Sequence, residues 1–90
     1  MPKKKRDIRK ELVEQTGDES LLFADGFDSC IVGVTEDNPM KVVYNAEKIV
    51  KTIMKKDKMK QDEAWEYFYF NIAGAYVGER TPIYVTTKYV

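Results

Sequence analysis

Cys30-Ile31-Val32-Gly33-Val34-Thr35 is apolar and β-branched, so it predicts a strand buried on at least one face. Glu36-Asp37-Asn38-Pro39 follows as a concentrated turn signal. Lys41-Val42-Val43-Tyr44 then gives a second strand, and the pair reads as a β-hairpin with a loop of roughly four or five residues. Asn45 has the side chain of a helix N-cap. Beyond it Ala46, Ile49, Val50, Ile53 and Met54 recur at i, i+3, i+4, i+7 and i+8, the single apolar face of an amphipathic helix. Glu47, Lys48, Lys51, Lys55 and Lys56 occupy the opposite face. A hairpin that feeds directly into such a helix makes the chain α+β.

Upstream, Ile8, Leu12 and Val13 have partial helical spacing and Thr16-Gly17 supplies a stop, because glycine suits the left-handed C-cap. This predicts a short helix over residues 7–15. Residues 18–28 read as a loop that drops Phe23 and Phe27 onto the core. Downstream, residues 57–61 form a polar connection with Met59 turned inward. A third helix starts at Gln61 or Asp62, with Asp62 and Glu63 near the positive end of its dipole. Trp65, Tyr69, Ile72 and Tyr76 form one stripe, Ala64, Phe68 and Ala75 lie beside it, and Tyr67 and Phe70 point elsewhere. Gly74 and Gly78 bracket the exit, Thr81-Pro82 sets an extended start, and residues 83–90 alternate as a terminal strand. The order is α-β-β-α-α-β: a small, mainly antiparallel three-stranded sheet with helices on one face. Ninety residues make one domain, with residues 1–6 a basic flexible tip and 7–90 the folded part.

Composition excludes much chemistry. The chain has no histidine and one cysteine, which removes zinc fingers, Cys–His and Ser–His catalysis, histidine-held haem and an intramolecular disulfide. No apolar run nears the roughly 18 residues of a membrane span. The charged N-terminus has no apolar segment behind it, so a secretory signal is not expected. The expectation is a cytoplasmic protein without cofactor or metal.

A net charge of zero hides a blocked distribution. Residues 1–10 carry a net +5, residues 11–40 carry eight acidic side chains and no basic one, and residues 41–60 return to +5. Lys3, Lys4, Lys5 and Arg6 could bind phosphates or serve as an address peptide; the plainer reading, a solvated tail, is preferred. Lys48, Lys51 and Lys55, near Tyr44, could form a phosphate-tracking patch; the solvated side of an amphipathic helix is again preferred. Asp25-Gly26-Phe27-Asp28 offers two carboxylates to a hard cation, but the calcium-loop spacing is absent and a turn explains it more simply. Cys30 opens an apolar strand, where a thiol is usually a small buried hydrophobe. Glu63, Glu66 and Glu79 are available for acid–base work, yet nothing pairs them at a diagnostic spacing, and the chain is read as not an enzyme.

The aromatic helix is the most informative feature. Trp65, Tyr67, Phe68, Tyr69, Phe70 and Tyr76 place six large rings within twelve residues, more than one buried face can take. Core plus interface is therefore favoured over core alone, since aromatic residues are enriched at binding hot spots. Asn71 is then either a buried polar anchor or a contact residue.

Ala24-Asp25-Gly26-Phe27-Asp28 with Ile31-Val32-Gly33-Val34, and Glu66-Tyr67-Phe68-Tyr69-Phe70-Asn71-Ile72-Ala73-Gly74-Ala75-Tyr76-Val77-Gly78-Glu79 with Thr81-Pro82, resemble a group of small tailed-bacteriophage proteins with no assigned activity. The resemblance spans residues 20–85, implies an infected bacterial cytoplasm as the setting, and carries over no functional residues. The expected function is that of a small phage accessory protein that binds a host factor or a second copy of itself through Trp65, Tyr67, Tyr69, Phe70 and Tyr76. The alternative is a nucleic-acid-binding module that uses Lys3, Lys4, Lys5, Arg6, Lys48, Lys51 and Lys55. A third class, an enzyme or small-ligand binder, would place its site near Asp25, Asp28 and Glu79.

Overall fold

A computed structural model describes residues 7–87 of the chain. Helix α1, Ile8–Thr16, starts where the Asp7 carboxylate accepts the Lys10 N–H at 3.1 Å. It stops at Gly17, whose left-handed φ of 72° lets its N–H reach the Val13 carbonyl at 2.8 Å. Only Leu12 of this helix is fully buried.

The loop that follows is fixed from two sides. Leu21 is buried and Phe23, Ala24 and Phe27 pack against the core, as expected of the two phenylalanines. The Arg9 guanidinium lies 5.0 Å from the centre of the Phe23 ring and donates to Asp28 at 2.9 Å and Asp25 at 3.1 Å. A 3₁₀ turn at Asp28–Cys30 leads into β1, Ile31–Val34. Strand β2, Val42–Asn45, pairs antiparallel to β1. Thr35 and Lys41 bond across the hairpin end, Thr35 N–H to the Lys41 carbonyl and Lys41 N–H to Thr35 Oγ1, both at 2.9 Å. That leaves residues 36–40 as the turn.

Helix α2, Ala46–Asp57, begins on the residue after β2, with Asn45 Oδ1 accepting the Lys48 N–H at 3.1 Å. Ala46, Ile49, Val50 and Ile53 are buried along its expected apolar face, each large aliphatic contributing about 1.5–3 kcal/mol. Lys58 closes it at a left-handed φ of 54°. Helix α3, Gln61–Phe68, continues into a π turn, Tyr69–Ala73. Strand β3, Ile83–Val85, completes a three-stranded sheet of order β1-β2-β3. One core holds the buried side chains of all three helices together with Val42 and Tyr44 of β2, and Tyr84 packs against it.

Two features differ from the sequence reading. The sheet is mixed, because β3 runs parallel to β2. The chain from Asn45 to Ile83 is a crossover through α2 and α3, the type of connection that returns a strand in the same direction. The strand ends at Val85, paired with Asn45, and does not continue into residues 86 and 87. Thr87 instead bonds to the start of α2, its hydroxyl accepting from Asn45 Nδ2 at 3.0 Å and its N–H donating to Glu47 at 3.1 Å; residues 88–90 lie outside the described part. The buried stripe of α3 is Ala64 and Phe68 followed by Ile72, with Trp65 partly buried beside it. Ala64 is fully buried, Phe68 meets the sheet edge-on at Tyr84, 5.4 Å away, and Tyr69 is left outward.

Candidate functional site

The outward face of α3 and its π turn carries the exposed aromatic surface. Tyr67 is 40% exposed, Tyr69 60%, Phe70 76% and Tyr76 78%, and Val77 extends the patch. Across the π turn Ile72 and Ala73 pack against the core, and Phe70 is exposed. Such turns recur at functional sites. Asn71 holds this one, its Nδ2 donating to the Tyr67 carbonyl at 3.2 Å. Asn71 is exposed, so of its two expected roles the buried anchor is wrong.

The rings sort into two groups. Trp65 is half-buried, stacked on Tyr69 at 5.7 Å and edge-on to Phe68 at 5.8 Å, so it forms the base under Tyr69 rather than the tip of the surface. Tyr67 and Phe70 line a groove of about 330 Å³ with Met59, Glu63, Glu66 and Asn71. Glu63 accepts the Lys60 N–H at 3.3 Å, half of a capping box. Tyr76 sits beyond Gly74, next to Val77. Val77 lines a second, more apolar groove of about 380 Å³ with Leu22, Phe23, Phe27, Ile72 and Pro82. Tyr84 forms part of that groove as well, and burial raises its phenol pKa above the usual 10.

Sequence reasoning named Glu63 and Glu66 only as spare carboxylates and missed the second groove. The helical spacing of Glu63, Glu66, Tyr67 and Phe70, at i, i+3, i+4 and i+7, was the available signal for the first. No sequence pattern joins Leu22 to Val77.

The lysines expected of the alternative reading do converge. Lys48, Lys51 and Lys55 line a groove of about 380 Å³ with Ser29 and Thr52, and none forms an ion pair with a described residue. Lys3, Lys4, Lys5 and Arg6 lie outside the described residues. Cys30 is buried at this groove's floor, its Sγ 3.7 Å from Thr52 Oγ1. Asp25 and Asp28 both face Arg9, whose pKa they raise, Asp28 foremost. Among the described residues no group of three His, Cys, Asp or Glu side chains is placed to hold a metal ion. No described helix is long and apolar enough to cross a membrane. No family model, curated protein or solved structure matches the chain.

Proposed function

We propose that this chain is a small phage accessory protein that acts by binding another protein through the aromatic face of α3 and its π turn. The observation that carries the reading is the run of exposed rings at Tyr67, Tyr69, Phe70 and Tyr76 on a segment anchored by buried Ala64 and Phe68. Contiguous exposed apolar surface rimmed by polar groups is what a binding face presents, and rigid aromatic side chains lose little conformational entropy when they are covered. The phage setting rests on the resemblance of residues 20–85. The partner is a host factor or a second copy of the chain.

The test is capture from bacterial lysate with the wild-type chain and a Tyr69→Ala/Phe70→Ala/Tyr76→Ala variant, with sedimentation velocity on both. A partner or self-association seen with the wild type and lost in an equally stable variant supports the reading. Equal capture and equal association by both chains overturn it.

A second reading is favoured by the convergence of Lys48, Lys51 and Lys55 on one groove without acidic partners among the described residues. With Lys3, Lys4, Lys5 and Arg6 they would bind nucleic-acid phosphates. Affinity for a single- or double-stranded oligonucleotide should then fall steeply with salt, and a Lys48→Gln/Lys51→Gln/Lys55→Gln variant should flatten that dependence.

A further inference from the structure

The aromatic face has a charge that selects its occupant. From Gln61 to Glu79 the chain holds Asp62, Glu63, Glu66 and Glu79 and no basic residue, with Lys58 and Lys60 just before it on either side of Met59. Glu63 and Glu66 stand one helical turn apart in the groove walled by Tyr67 and Phe70, and all four side chains are exposed. Like charges at this spacing repel, and none of the described ion pairs neutralises either one. Aromatic faces attract cations. Carboxylates bind guanidinium groups through paired hydrogen bonds. Met59 closes the groove with a flexible, polarizable side chain.

We infer that this groove receives an arginine-bearing segment of the partner protein, the guanidinium lying against Tyr67 or Phe70 and bonded by Glu63 and Glu66. The inference rests on the reading of α3 as a protein-binding face and names the chemistry of what it binds. Arginine suits the site better than lysine because its planar head both stacks on a ring and forks to a carboxylate.

The test uses the full chain and fluorescein-labelled peptides (Gly-Arg)6, (Gly-Lys)6 and (Gly-Glu)6, followed by anisotropy at low and moderate salt. The arginine peptide should bind, the lysine peptide more weakly, and the acidic one not at all. Glu63→Gln/Glu66→Gln should weaken arginine-peptide binding about tenfold, and Tyr67→Ala/Phe70→Ala about three- to tenfold. Glu14→Gln/Glu19→Gln, which removes exposed acids of α1 and the loop after it, should change binding less than about twofold. Thermal unfolding of each variant checks that it is folded. Absence of arginine-peptide binding, equal losses in the Glu14/Glu19 control, or indifference to loss of Tyr67 and Phe70 would each overturn the inference. Salt-sensitive self-association abolished both by Glu63→Gln/Glu66→Gln and by Lys48→Gln/Lys51→Gln/Lys55→Gln would also overturn it, by making the lysine face of a second copy the occupant. If the aromatic triple variant loses its partner while the arginine peptide never binds, the inference falls and the proposed function stands. If that variant keeps its partner, the proposed function falls as well.

Discussion

Tyr44→Phe removes a single oxygen from the centre of the molecule. Tyr44 is fully buried in β2, and its hydroxyl accepts the Ala24 N–H at 2.7 Å. That bond and the Arg9 contacts hold the loop that walls the more apolar groove. The phenylalanine ring keeps the packing with Tyr84, whose centre lies 5.7 Å away, so the change isolates the hydrogen bond. A typical net bond is worth about 0.5–1.5 kcal/mol, and a buried donor left unpaired costs about 1–3 kcal/mol. Ala24 is half-buried, so water can partly replace the lost acceptor, and a loss of about 1–2 kcal/mol is expected. For a domain of this size that lowers Tm by roughly 4–16 °C. Urea denaturation should show a lower midpoint at unchanged slope. Alkaline titration gives a second readout. Burial raises the pKa of both Tyr44 and Tyr84 above the usual 10. The unfolded chain therefore ionises first, and stability that is intact below pH 10 falls as pH rises past it. Tyr44→Phe should show a smaller alkaline loss than the wild type. A variant as stable as the wild type at pH 7, with an unchanged alkaline limb, would refute the role given to this hydroxyl.

The π turn is tested by Gly74→Ala, since a Cβ there would sit 2.9 Å from the Tyr69 carbonyl oxygen; a loss of about 1–3 kcal/mol in urea denaturation is expected. Lys58 ends α2 in the left-handed region, where an L side chain costs about 1–2 kcal/mol. Lys58→Gly should therefore raise stability by about 0.5–1 kcal/mol after the extra backbone entropy of glycine is offset, measured the same way. Toward acid, the Asp37 pKa is held down to about 2 chiefly by its bond to Lys41, and that of Asp18 is lowered by Arg80 at 2.7 Å. Stability from these contacts is present above pH 4 and drains as pH falls toward 2. Asp37→Asn should reduce that acid loss in a pH series of thermal scans.

The hairpin, the Asn45 cap and the face of α2 were legible because each is a local signal: a β-branched run, a turn cluster, a capping amide, a 3.6-residue period. The direction of β3 was not, since Ile83–Val85 looks the same in either orientation and only the path of α2 and α3 sets it. Which face of α3 is buried was left open for a related reason: both the Trp65–Tyr69 stripe and the Ala64–Phe68 stripe are apolar, and only the fold shows that Ala64 and Phe68 go inside. The π turn has no period of its own in the residues. Of the candidate site, the aromatic residues were visible as composition, whereas their division into a half-buried Trp65 and exposed Phe70 and Tyr76 needed the fold. The Arg9 clamp on Asp25 and Asp28 joins residues too far apart in sequence for any motif to register.

The most direct test of the aromatic interface is site-specific photo-crosslinking in bacterial cells. Benzoylphenylalanine is placed in turn at Phe70, at Tyr76 and at Gln15, an exposed position of α1. The account expects a discrete protein adduct, with a host protein or with a second copy, from positions 70 and 76 and none from 15. Adducts from Gln15 with none from Phe70 or Tyr76 would contradict it.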